Sequence, residues 1–177
     1  LVIDGGGGSE EESAEELIGK GENTRIEFKE TFLYDVYREQ PNKDLKKEVV
    51  KEIAALANSE GGAVVIGVED DTKGVKGLER DYNLMQKGKD SFGLQLRQAV
   101  ADRLGQMMAT AYTHVNFEEV ERKEVCVVWV DNSPKPVFFE EDDSEQFYVR
   151  TGTSAQPLSI QEANEYIDEH WSQSPMA

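Results

Sequence analysis

Residues Asp44 to Val68 constrain the fold of this 177-residue chain more than any other segment. Leu45, Val49, Ile53 and Leu56 recur at helical spacing, and Val50, Ala54 and Ala57 widen the stripe. The pattern predicts a helix over Asp44 to Asn58 with a buried face. Glu60-Gly61-Gly62 supplies a turn, and Ala63-Val-Val-Ile-Gly-Val68 is a β-rich apolar run without polar alternation. Such a run marks a central strand covered on both faces.

The flanking segments fill out the fold. Ser13-Ala-Glu-Glu16 has capping-box spacing and opens a helix of one or two turns that Gly19 and Gly21 end. Arg25 to Glu30 alternates with period two, which puts Ile26 and Phe28 on one face and Arg25, Glu27 and Lys29 on the other. Lys73 to Leu78 is a glycine-punctuated short strand or turn. Helical spacing returns from Asp90 to about Met108, through Phe92, Leu96, Ala99, Val100 and Leu104. Strands around Tyr112–Val120 and Val125–Val130 form a hairpin across Glu121-Arg-Lys-Glu124. Gln146 to Arg150 is a further strand, and Ser159-Ile-Gln-Glu162 opens a last helix to about His170. Mixed elements with consecutive hairpin strands predict an α+β fold, one mixed and largely antiparallel sheet with helices packed on it. The expected layout is a flexible glycine-rich and acidic linker over 1–12, a domain over 13–172 and a tail over 173–177, with a further domain expected upstream of the linker.

Charge decides which partners are plausible. The net charge of −17 opposes binding to phosphate backbones, because that affinity comes mainly from Lys and Arg. The acids are concentrated, however, in Asp4–Glu16 and in Glu140–Glu145. Between Lys73 and Arg103 seven bases (Lys73, Lys76, Arg80, Lys87, Lys89, Arg97, Arg103) face four acids (Glu79, Asp81, Asp90, Asp102), a local excess of three positive charges. The single cysteine, Cys126, cannot form an intramolecular disulfide and sits in an alternating apolar run, which suits a buried strand position in a reducing compartment. No apolar run approaches the length of a membrane span, and the N-terminal residues lack the pattern of a secretion signal, so a cytoplasmic protein is expected.

Three segments stand out together. They are Gly21-Glu22 with Glu27-Phe28-Lys29, then Ala54-Ala-Leu-Ala-Asn58-Ser-Glu-Gly-Gly62-Ala-Val-Val-Ile-Gly67-Val-Glu-Asp70, then Tyr148-Val-Arg150-Thr-Gly152-Thr-Ser154. In that order, and over roughly residues 14–170, the chain resembles the Schlafen AlbA-type (AlbA_2) domain. The resemblance implies nucleic-acid binding, as in prokaryotic transcriptional regulators, or RNA cleavage, as in some animal relatives. It further implies that acids at the positions of Glu22, Glu27 and Glu69 carry catalysis in the nuclease members. Glu69 stands where the family pattern more often has Asp, and Asp70 follows it directly. Nuclease relatives pair two such domains, so a homodimer is expected of a chain that carries one.

The residues themselves allow two readings at each point. Glu22 and Glu27 bracket a strand entry, and Glu69 and Asp70 end the next strong strand, where open α/β sheets usually place ligands. Convergent carboxylates there can hold Mg²⁺ or Mn²⁺. Alternatively Glu27 simply pairs with Lys29 or a neighbouring base. Lys29 can stabilise charge at a phosphate, or be a surface strand lysine. Asn58 to Gly62 can form an anion nest, or Gly61 and Gly62 can provide positive φ while Asn58 caps the helix. No Gly-Lys-Ser/Thr is present there, so the segment is not a P-loop. Arg150 can contact phosphate or tie its strand to a carboxylate such as Glu27 or Glu69. His114 and His170 have no ligand spacing around them and are expected to be structural or surface residues, and Trp129 and Trp171 are expected to pack. The leading expectation is a nucleic-acid-binding module using Lys73, Lys76, Arg80, Lys87, Lys89 and Arg97 with Arg150. The rivals are a metal-dependent endoribonuclease using Glu22, Glu27, Lys29, Glu69 and Asp70, and a protein-interaction domain.

Overall fold

A computed structural model describes residues 12–172 of the chain. The expected linker over 1–12 and the tail over 173–177 therefore lie outside the described residues, save Glu12. Helix α1 (Ala14–Lys20) is followed by β1 (Ile26–Lys29), the short strands β2 (Tyr34–Asp35) and β3 (Gln40–Pro41), α2 (Asp44–Ala57) and β4 (Gly62–Ile66). Then come α3 (Glu79–Tyr82), α4 (Lys89–Leu104), a π-helical turn (Met108–Tyr112), β5 (Thr113–Val120) and β6 (Lys123–Val130). The described residues end with β7 (Phe139–Glu141), β8 (Ser144–Thr151), β9 (Ser154–Leu158) and α5 (Ile160–Trp171).

The central sheet has the order β1-β4-β6-β5. β1 runs parallel to β4, and the remaining pairs are antiparallel. A parallel pair needs a crossover, and α2 lies within the connection. The α+β class expected from the pattern is what the chain adopts. Its strands do not all share one sheet, since β7, β8 and β9 form a separate three-stranded sheet and β2 pairs with β3 alone.

β4 is buried at every position, as its unbroken apolar run requires. Val64 and Ile66 face α2 and α4 in the larger core with Ile53, Leu56, Phe92 and Leu96. Ala63 and Val65 face the opposite way, into a second core with Ile26, Phe28 and Leu17 of α1. Complete burial of one such aliphatic side chain contributes about 1.5–3 kcal/mol, so the two layers account for the fixed register. The turn between α2 and β4 tolerates only glycine. Gly61 and Gly62 have φ of 72° and 148°, and a Cβ on Gly62 would lie 2.0 Å from the carbonyl oxygen of Arg25.

Several boundaries differ from the sequence pattern for local reasons. α1 runs through Gly19 and stops at Gly21, whose φ of 77° lets its N–H close the helix. The β5–β6 hairpin turns on two residues, Glu121 and Arg122, both at positive φ (51° and 64°). That is the two-residue turn whose twist matches the flanking strands. The Ser159 capping box forms as expected, with both reciprocal hydrogen bonds. Among the described residues no helix is long and apolar enough to cross a membrane.

Candidate functional site

The charged face of β1 is turned inward at Glu27, while Arg25 is exposed and Lys29 partly so. Because β1 lies beside β4 in register, Glu27 pairs with Val64 and points toward α2, where its residue is 5% exposed. Two bases and a second acid meet it there. Lys29 Nζ lies 2.8 Å from Glu27 Oε1 and 3.7 Å from Glu52 Oε1. Arg150 Nη1 lies 2.8 Å from Glu27 Oε2, an ion-pair contact without hydrogen-bond alignment, and donates to Glu52 Oε2 at 2.6 Å. Its Nη2 donates to the carbonyls of Asn23 and Ile26, both at 3.0 Å. The Arg150 side chain is 1% exposed. A buried guanidinium thus ties β8, α2 and the entry of β1 together, which is the carboxylate tie through Glu27, with Glu52 in place of Glu69.

Burial sets the electrostatics of this clasp. Desolvation is the largest influence on Glu52, and with the repulsion of Glu27 it holds that carboxyl above the ordinary glutamate value, against the pull of Lys29 and Arg150. Burial works the other way on Lys29. There the charge of Glu27, its hydrogen bond and Glu52 outweigh it, so the ammonium is held above the ordinary lysine value. A phosphate oxygen would have to displace one of these contacts to reach Glu27 or Arg150.

Glu22 sits outside the clasp, half-buried, with Oε1 accepting the backbone N–H of Phe28 at 3.0 Å. Desolvation raises its carboxyl above the ordinary value, offset in part by that N–H, and Glu27 and Asp70 raise it further. Glu69 is occupied elsewhere: it accepts from Thr72 Oγ1 and faces Lys76 Nζ at 3.6 Å. The Thr72 hydrogen bond is the main reason its carboxyl is held below the ordinary range. Asp70 is exposed. Among the described residues no group of three or more His, Cys, Asp or Glu side chains is placed to hold a metal ion. Glu22, Glu27 and Glu69 therefore do not fit Mg²⁺ or Mn²⁺ in this arrangement, since Glu27 and Glu69 already hold bases.

The profile of the family Schlafen, AlbA_2 matches residues 22–159. The chain belongs to the Schlafen AlbA_2 family. Two solved structures share the fold. The DIP2311 protein from Corynebacterium diphtheriae is 24% identical at a TM-score of 0.60, over 92% of this chain and 32% of that one. The N-terminal domain of a protein from Nitrosomonas europaea, described as related to the ATP-dependent DNA helicase RecG, is 22% identical at a TM-score of 0.53, over 84% of this chain and 95% of that domain. The chain thus spans about a third of the DIP2311 protein.

In this AlbA_2 domain the predicted basic residues divide into two sets. Lys76 is held by Glu69, Arg80 by Glu30 at 2.8 Å and Lys89 by Glu124 at 2.9 Å. Arg103, from the same segment, donates to the Glu140 carbonyl at 2.8 Å. Lys73, Lys87 and Arg97 are exposed and form no ion pair among the described residues. Lys73 stands at the mouth of the acidic entry, with Nζ 3.0 Å from where a Cβ on Gly21 would lie.

The AlbA_2 segment Asn58–Gly62 is a joint between layers. Asn58 is fully buried; its Nδ2 donates to the carbonyls of Val137 and Tyr148 at 2.8 and 2.9 Å, and its Oδ1 accepts from Val137 N at 2.8 Å. Ser59 Oγ accepts the backbone N–H of Arg150 at 3.0 Å. Asn58 thus joins α2 to the β8 region through its amide, rather than capping its own helix with it. Two more polar residues escaped the sequence reading. Glu52 falls next to the apolar stripe of α2 and reads as a solvent position until Arg150 is placed beside it. Asp81 is 1% exposed and accepts the N–H groups of Phe32, Leu33 and Tyr34, all at 2.8 Å, fixing the loop after β1. Neither carries a sequence motif that would have found it.

Proposed function

We propose that this chain is a nucleic-acid-binding module of a prokaryotic-type transcriptional regulator, and that it binds rather than cleaves. The observation that carries the distinction is the Glu27 carboxylate: it is buried, and its two oxygens lie 2.8 Å from Lys29 and Arg150, so both are already engaged by bases. Family membership supports the choice of nucleic acid, and the likeness to the N-terminal domain of a RecG-related protein agrees with it. Lys73, Lys87 and Arg97, free of acid partners among the described residues, are the bases available for phosphate. DIP2311 is about three times as long as the matched part, which supports placing the module in a longer protein, and a cytoplasmic location belongs to the same reading. A homodimer belongs to the same reading; β5 is the sheet edge that a second copy could extend, because at the other edge Glu22 and Arg150 already engage Phe28 N and Ile26 O.

One observation favours the rival reading of a Mg²⁺- or Mn²⁺-dependent endoribonuclease. Glu22 feels both Glu27 and Asp70, and a divalent cation would relieve that repulsion. The deciding experiment incubates the protein with labelled structured RNA, single-stranded RNA and duplex DNA, with Mn²⁺ or EDTA, beside Glu27→Gln, with sedimentation run in parallel. Intact substrate whose retention weakens steeply with salt is the expected result. Mn²⁺-dependent cleavage that disappears in Glu27→Gln would make the chain a nuclease. Neither cleavage nor retention would leave a protein-interaction domain, and a purely monomeric species at high concentration would remove the dimer.

A further inference from the structure

At the free edge of the central sheet, away from the clasp, α4, the π-helical turn and the start of β5 enclose an open concavity of about 450 Å³. Its polar lining is Arg97, Gln106, Thr110, Thr113 and His114, and no carboxylate lines it. In a chain of net charge −17, a concavity furnished with donors and no acid is unusual enough to need a reason. Asp131, which is not part of the lining, is engaged by His114 Nε2 at 2.8 Å, which orients the imidazole at the rim.

Each donor has capacity left over. Arg97 is exposed and has no ion pair among the described residues, in contrast to Arg80, Lys76 and Lys89 nearby in sequence. Gln106 Nε2 uses one hydrogen on Thr110 Oγ1 at 3.1 Å, leaving its second hydrogen and the Thr110 hydroxyl proton uncommitted. Thr113 is 6% exposed, and its buried hydroxyl has no hydrogen-bond partner among the described residues. Leaving such a group unsatisfied is costly, and an acceptor seated against it removes the cost. The backbone points the same way: the turn from Met108 to Tyr112 is π-helical, a widened form that is rare and recurs at functional sites.

We propose that this concavity is a binding site for a phosphate group, with Arg97 as the charged partner and Gln106, Thr110 and Thr113 as neutral donors. A tetrahedral phosphate offers several acceptor oxygens at once, which a guanidinium, an amide and hydroxyls on three neighbouring elements can meet together. The phosphate can belong to the backbone of a nucleic-acid strand or be free in solution; only the first source rests on the nucleic-acid reading.

The test follows backbone amide resonances of the intact chain during titration with inorganic phosphate and, separately, with a single-stranded RNA oligonucleotide. Wild type is compared with Arg97→Ala, an exposed position whose loss leaves the core untouched, and with Arg80→Ala as a basic control outside the concavity. Saturable shifts confined to Ala109–Val115, with affinity reduced about tenfold or more in Arg97→Ala and unchanged in Arg80→Ala, are expected, since a hydrogen bond to a charged group is worth at least that factor. Shifts there with RNA as well identify a strand as the source, and shifts with inorganic phosphate alone identify a free anion. RNA binding that leaves Ala109–Val115 silent and is indifferent to Arg97→Ala, with no response to phosphate, overturns the site while the nucleic-acid reading survives. Phosphate filling the concavity while no nucleic acid binds leaves the site in place and removes that reading, and silence with both ligands removes both.

Discussion

Replacing Arg150 with alanine tests the clasp directly. The wild-type guanidinium, 1% exposed, neutralises Glu27 and Glu52 and donates to two backbone carbonyls. Its removal leaves two carboxylates in a buried space with Lys29 as their only remaining base among the described residues. Breaking one partner out of a buried ion pair costs about 3–5 kcal/mol, against a total stability of about 5–15 kcal/mol for a domain. In a domain of this size that corresponds to a fall in melting temperature of roughly 6–20 °C. Arg150→Lys should recover only part of it, because an ammonium cannot reach both carboxylates and both carbonyls with a rigid fork. The quadruple substitution Glu27→Gln, Lys29→Met, Glu52→Gln, Arg150→Met should recover most, because it leaves no charge in the clasp. Urea unfolding at pH 7 measures all four proteins, with the slope compared as well as the midpoint. An Arg150→Ala protein within about 1 kcal/mol of wild type would refute the argument, since surface ion pairs account for differences of that size.

Two further outcomes are expected. Asn58→Ala should cost about 3 kcal/mol or more in the same urea assay, because it strands the Val137 N–H and the carbonyls of Val137 and Tyr148 in a buried joint; near-wild-type stability would show that water or another donor replaces them. The pH dependence of stability should carry a signature of Glu52, whose carboxyl is held above the ordinary value of 4.5 by burial and Glu27. Since the folded state then holds the proton more tightly than the unfolded chain, this contribution is complete below pH 4.5 and is lost as the pH rises through the raised folded value. Glu52→Gln should flatten the stability profile above pH 4.5, and parallel profiles for the two proteins would contradict the assignment.

The layers of this protein were legible in its sequence because periodicity and burial are local statements. The unbroken run at Ala63–Val68 sits at the middle of the sheet, and the stripe through Val49, Ile53 and Leu56 faces it. Gly61 and Gly62 were readable as positive-φ residues because the turn between a helix and a buried strand leaves few other choices. The motif Glu27-Phe28-Lys29 announced that a charged pair lies on β1, and both bland alternatives for Glu27 and Arg150 were open from the residues alone.

Local pattern sets which residues alternate, where the chain turns, and that charged groups occur on β1 and at the end of β8. Which charges meet is set by the packing of distant segments. Arg150 and Glu27 are separated by more than a hundred residues, and Glu52 lies between them on a helix whose pattern gives no hint of a partner. Folding β8 over α2 brings the three together and removes water, and that desolvation turns a strand with a charged face into a closed ion-pair clasp. The same holds for the phosphate concavity, since Arg97 joins Thr110 and Thr113 only when α4 packs against the edge of the sheet.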